Sequence, residues 1–232
     1  KMFSYGIDMQ TSGNHIWDRV DILDYLSEKN PKLLRPANFP IGAPGVGSMV
    51  DKVGDIAVGV LNLQGRIYMK EIDCPFQTAN RELLKIGSKA NIIFVDFHAE
   101  ATAEKQAMFH FLDGKVSALI GSHTHVQTVD NQISERGTAY LTDAGMTGPH
   151  DSVIGMQKGP SLGRLLTGMP KRFTTATDDV KLSGVFVDVN PANGQAVKIE
   201  QFRFDFDIDT FKPQDILGEQ EDESSDDDIS VD

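Results

Sequence analysis

The 232-residue sequence has a single cysteine, Cys74, so no internal disulfide framework is available to it. It also shows no signal-peptide pattern, which together with the lone thiol points to a reducing, cytoplasmic setting. No apolar run approaches the roughly 18 residues of a membrane helix, and no membrane association is expected. Basic residues are scarce, 22 Lys and Arg against 34 Asp and Glu, and no Lys/Arg stripe marks a surface for duplex nucleic acid. An initiator methionine is missing too. The chain opens on Lys1, as if an upstream segment preceded it.

Much of the net charge of −12 lies at one end. From Glu219 onward, "EQEDESSDDDISVD" has eight acidic residues and no basic one. Such a segment has too little apolar area to offset the entropy of ordering it. Residues 214–232 are therefore expected to form a disordered acidic tail, and residues 1–213 one folded domain. A chain of this length buries enough core to fold without staples.

Within the body, apolar runs bounded by turn residues predict strands at "IDMQTS", "DIAVGVLNL", "NIIFVDF", "KVSALIG", "TAYLTD", "SGVFVDV" and "AVKIEQFRFDF". Helical patterns lie between them at "WDRVDILDYLSEK", with Val20, Leu23 and Leu26 on one stripe, at "ANRELLKIGSKA" and at "ATAEKQAMFHFLDG". Alternation of this kind predicts an α/β fold, its last two strands closing as a hairpin through "NPANG". The Pro/Gly-rich stretch "LLRPANFPIGAPGVGS" reads as an ordered loop or small lid across residues 31–50.

Only six histidines are present, and "SHTH" places two of them around one threonine. "SGNH", "FHAE" and "SHTH" each follow a predicted strand, so Asn14, His15, His98, His123 and His125 fall where open α/β sheets gather ligands. Neutral imidazoles beside a carboxamide suit zinc, iron or manganese, too evenly to choose among them. Any one of these rings would as readily satisfy a buried carbonyl; three separate occurrences after strands make coincidence the poorer explanation. His110, between two phenylalanines, and His150, after Pro149, read as structural. Asp8 and Asp143 read as strand-end or turn residues, and Asp96 shares a strand face with His98. In "RPANFP", Arg35 and Asn38 suit a substrate pocket or, equally, an ion pair and a turn.

The strings "GNHIWD", "LLRPANFP", "NLQGR", "DFHAEATAEK", "SHTHVQT" and "TDAGMTGP" resemble the calcineurin-like metallophosphoesterases, in particular the YmdB-type phosphodiesterases acting on cyclic nucleotides. The likeness runs from about Gly6 to about Phe206. It implies an α/β/β/α sandwich of mixed sheets with flanking helices. It further implies that Asn14, His98 and His123 ligate one ion and His125 a second, while His15 acts as proton donor without binding metal. The implied substrate is a small phosphodiester, a cyclic nucleotide, and the implied cofactor a pair of divalent or mixed-valence ions. Members of that family begin with a further βαβ segment carrying an aspartate and a Glu-Asn pair as ligands, which has no counterpart here. A regulatory protein of the same fold, docking partners through its acidic tail, and a different metallohydrolase such as an amidase are the competing readings. A homo-oligomer is compatible with the sequence.

Overall fold

The computed structural model describes residues 2–28 and 31–206. The expected acidic tail lies outside the described residues. Two sheets form the body. The larger has the order β1-β2-β3-β4-β6-β5, made of β1 (Ser48–Val53), β2 (Ile56–Gln64), β3 (Ile92–His98), β4 (Ala118–Ser122), β5 (Gln132–Ile133) and β6 (Ala139–Leu141). Strands β2, β3, β4 and β6 run parallel, and β1 and β5 close the edges antiparallel. The smaller sheet is antiparallel, β7-β8-β9, from β7 (Gly148–Pro149), β8 (Val180–Val189) and β9 (Ala196–Asp205).

Solid apolar runs give the central parallel strands because both of their faces are covered. On one face, Leu61, Val95, Phe97 and Leu119 pack with Ala79 and Ile86 of α2 (Pro75–Ile86) and with Met108, Phe109 and Leu112 of α3 (Thr102–Leu112). On the other, Ala118, Ala139 and Leu141 meet Ala196 and Ile199 of β9, with Val185 and Val187 of β8 alongside. Each fully buried leucine of these layers contributes about 1.5–3 kcal/mol relative to an exposed one. The result is the expected α/β fold, a mixed six-stranded sheet with flanking helices and a second sheet against it. Among the described residues no helix is long and apolar enough to cross a membrane.

Two expected elements come out differently. The "IDMQTS" segment is not a strand: it makes one isolated bridge, Gln10 to Leu33, held by Gln10 N to Lys32 O (2.8 Å) and Leu34 N to Gln10 O (2.7 Å). The helix expected from Trp17 shrinks to α1 (Ile22–Leu26) because its stripe has no partner along its length; Val20 is 76% exposed and only Leu26 is buried. The sequence pattern also passed over the 3-10 turn at Met2–Tyr5, the short strands β5 and β7, strand β1 and helix α4 (Lys158–Thr167). Strand β1 grows directly out of the Pro/Gly-rich loop. Helix α4 carries Gly159 and Pro160, tolerated because they sit in its first turn, and stops at Gly168 with φ 68°.

Arg35 and Asn38 are consumed in holding residues 35–47 and the loop after β2. The Arg35 guanidinium donates to the carbonyls of Pro44, Pro36 and Ala43, and burial lowers its pKa. Fully buried Asn38 donates to Gln64 O and Asp73 O and accepts from Gln64 N. Of the two readings of Arg35, a substrate contact or an ion pair, the guanidinium makes no ion pair among the described residues and is spent on backbone carbonyls.

Candidate metal centre

Parallel register brings the site together. His98 ends β3 opposite Ser122, the last residue of β4, and His123 follows at once. The loop carrying Asn14 crosses this edge, and Gly13 permits it: a Cβ there would lie 2.2 Å from His98 Nε2. Three of the expected ligands therefore meet. His98 Nε2 is 2.8 Å from Asn14 Oδ1 and 3.0 Å from His123 Nδ1.

The proton positions in this cluster follow from its neighbours. Ser122 Oγ lies 2.6 Å from Asp96 Oδ1, and with Asp96 ionised the hydroxyl proton is committed to that carboxylate. Ser122 Oγ must then accept from His98 Nδ1, 3.1 Å away, which leaves His98 Nε2 without a proton. His123 Nε2 faces Glu100 Oε2 at 3.1 Å, and a carboxylate only accepts, so the His123 proton sits on Nε2 and Nδ1 is bare. An amide oxygen and two ring nitrogens are turned toward one another, and with Asp96 ionised no proton lies among them. Such an arrangement is repulsive on its own. It is also how donors sit around one cation, since ligands about 2.1 Å from a shared ion and at right angles stand about 3 Å apart.

Burial, the His123 ring and the Lys105 charge hold His98 down to about 3, so it is neutral at ordinary pH with its lone pair available. Burial lowers His123 as well, against the pull of Glu100. Asp96 is pushed up by burial, opposed by hydrogen bonds from Ser122 and Thr11. Carboxylate or hydroxyl partners behind each ring are the orienting arrangement typical of metal-ligating histidines. Among the described residues no group of three or more His, Cys, Asp or Glu side chains forms a metal-binding set; the cluster here joins two imidazoles to the carboxamide of Asn14.

His125 is not drawn into this cluster. Its Nδ1 donates to the Ile154 carbonyl at 2.9 Å. His15 lies at the rim, its side chain 76% exposed, with Nδ1 held by Asp18 Oδ2 at 2.8 Å. Both rings still touch the cluster electrostatically, His15 through His98 and His125 through His123.

Two residues that the sequence pattern left in the background fix the histidine loop. Asp143 and Lys105, exposed by 1% and 0%, form a buried ion pair of 2.9 Å. The same Asp143 oxygen accepts Thr124 N (3.0 Å) and Thr124 Oγ (2.8 Å), and the other accepts Gly145 N (2.9 Å). Thr124 is pinned between two histidines whose backbones are left-handed, φ 100° at His123 and 67° at His125. Gln127 then ties the loop to the smaller sheet, its Nε2 lying within reach of the carbonyls of Ala144, Gly184 and Phe202. His110 and His150 are structural, one tilted against Phe109 and the other bonded to Gly148 O. A cleft of about 740 Å³ lined by Arg66, Ile67, Phe76 and Glu104 contains none of the histidines. The Glu104 carboxylate is occupied there by Arg66 N and Ile67 N.

A family model described as YmdB-like protein matches residues 1–202. The chain belongs to the YmdB-like family. It is 46% identical over 196 residues to a 2',3'-cyclic-nucleotide 2'-phosphodiesterase of Bacillus subtilis, covering 84% of this chain and 74% of that protein. A Thermus thermophilus protein of known structure superposes with a TM-score of 0.83 at 36% identity, over 88% of this chain and 79% of the other. A Mycoplasma pneumoniae structure described as a novel phosphatase follows at a TM-score of 0.80 and 31% identity, over 88% of this chain and 74% of the other. Membership in the YmdB-like family agrees with the resemblance read from the motif strings.

Proposed function

We propose that the protein is a metal-dependent phosphodiesterase acting on small cyclic nucleotides. The observation that carries this reading is the meeting of Asn14 Oδ1, His98 Nε2 and His123 Nδ1, with His98 Nε2 at 2.8 Å and 3.0 Å from the other two. Likeness to a phosphodiesterase of 2',3'-cyclic nucleotides supports the substrate class. In this reading those three atoms hold one divalent ion and His125 Nε2 contributes to a second. Bound divalent ions supply Lewis-acid charge and lower the pKa of a water to near neutrality.

The chain's own residues do the rest. Ser122 and Glu100 fix the rings of His98 and His123 so that each presents a lone pair. Asp18 holds the His15 ring by Nδ1, which turns Nε2 outward to pass a proton to the departing alkoxide. An exposed rim position suits this role because the donor must reload from solvent.

Hydrolysis of 2',3'-cyclic nucleotides, with manganese or iron added and with chelator, tests the reading. Activity is expected only with metal and is expected to vanish in His123→Ala; activity that persists in chelator sinks it. His15→Ala is expected to bind metal normally and to be slower by about 100- to 10,000-fold. Full activity in that variant removes His15 from the chemistry.

A further inference from the structure

Helix α4 and the segment after it stand out from the body, with residue 162 and residues 164–175 exposed. Leu162, Leu165 and Leu166 share one helical stripe and are 51%, 77% and 83% exposed; Met169, 62% exposed, prolongs it. A contiguous apolar face of this kind marks an interaction surface. Its surroundings are basic. Residues 152–177 contain Lys158, Arg164, Lys171 and Arg172 and no Asp or Glu, in a chain whose net charge is −12. Lys158 is paired with Asp151, and Arg164 lies over the Phe173 ring at 5.1 Å; among the described residues no carboxylate pairs with Lys171 or Arg172.

Three kinds of occupant have to be weighed. A second copy meeting this face symmetrically would set Arg164, Lys171 and Arg172 against their own like charges. An anionic lipid surface would repel the chain as a whole. The C-terminal segment of the same chain matches both features. Residues 207–232 carry eleven acidic side chains and one base, Lys212, and the apolar Phe211, Ile216 and Leu217 precede the densest acidic run. The segment also starts in the right place. Phe206 N donates to Val180 O at 2.8 Å, and a few residues upstream of Val180 the chain passes Thr175, bridged to Met156 just before α4 begins. A ten-residue helix is about 15 Å long, a distance that five extended residues span. Tethering also gives the segment an effective concentration of order millimolar, which no free ligand of similar affinity matches.

We propose that residues 207–232 dock back onto α4, with Phe211, Ile216 and Leu217 against the leucine stripe and the acidic run against Arg164, Lys171 and Arg172. The proposal does not rest on the phosphodiesterase reading.

Zero-length carbodiimide cross-linking of the full chain at low salt, mapped by mass spectrometry, tests the proposal. Cross-links from Lys171 to carboxylates of residues 219–232 are expected in the monomer band, with a yield unchanged on dilution. The yield is expected to fall by about tenfold in Arg164→Glu/Lys171→Glu/Arg172→Glu and in salt of about 1 M, where screening is strong. Those residues are exposed, so the variant is expected to keep its circular dichroism. Amide exchange supplies a second measurement: α4 is expected to exchange faster in Leu165→Ser/Leu166→Ser and when the acidic run is replaced by Asn and Gln. Cross-links confined to dimers, α4 protection that appears only with anionic vesicles, or α4 exchange indifferent to the acidic run would each overturn the proposal.

Discussion

One carboxylate sets the geometry of the histidine loop. Asp143 accepts from Thr124 through both its backbone and its hydroxyl, and it neutralises a lysine that has no exposed surface. Asp143→Asn is expected to cost about 3–5 kcal/mol in urea unfolding, because the Lys105 ammonium is left buried without its counter-charge. Lys105→Met/Asp143→Leu, which removes both charges, is expected to recover most of that loss. Gly13 acts on a single ring. Its φ is not left-handed, so Gly13→Ala is expected to fold, yet the new methyl overlaps His98 at 2.2 Å. Manganese affinity measured calorimetrically is expected to drop by about 10- to 100-fold. At this scale the sequence was legible in part. His98, His123 and Asn14 announce themselves by type and by position after strands. Lys105 lies in a helical pattern and Asp143 at a strand end, where nothing local separates a site-forming charge from a solvated one.

Among the elements, the central strands were readable because burial on both faces leaves solid apolar runs, as in Ile92–His98. The failures share a cause. The "IDMQTS" segment has strand composition but only one bridge to settle into, and the stripe through Val20 has no surface to cover. Composition records what a segment can do, whereas tertiary contact decides whether it does so. Strand β6 offers a test of such contact. Tyr140 is fully buried, stacks on Phe109 at 4.6 Å and bonds Thr142 Oγ at 2.8 Å. Burial pushes its phenol up to about 12, with Asp130 adding to the rise and the Thr142 bond opposing it. An unfolded tyrosine ionises near pH 10. Stability is therefore whole below about pH 10 and falls by about 1.4 kcal/mol per unit as pH climbs toward the folded value. Tyr140→Phe is expected to abolish this alkaline slope in denaturant titrations.

For the whole molecule, the parallel sheet explains why segments as distant as Asn14, His98 and His123 share a point: β3 and β4 end together at one edge, and the loop bearing Asn14 crosses it. Motif order in the sequence made that convergence legible, but the depth and angle of each ring were not, since they depend on register and on the Asp143 anchor. A cation held by all three segments, as proposed, would cross-link the fold. Saturating manganese at about 100 times its Kd is expected to add about 2.7 kcal/mol and raise Tm, and His98→Ala is expected to lose that rise. The left-handed backbone at His123 and His125 carries a further implication. Glycine would sit at ease in both places, yet it brings no donor atom with it. Selection for thermal robustness alone would thus favour glycine at both positions, at the expense of their ring nitrogens.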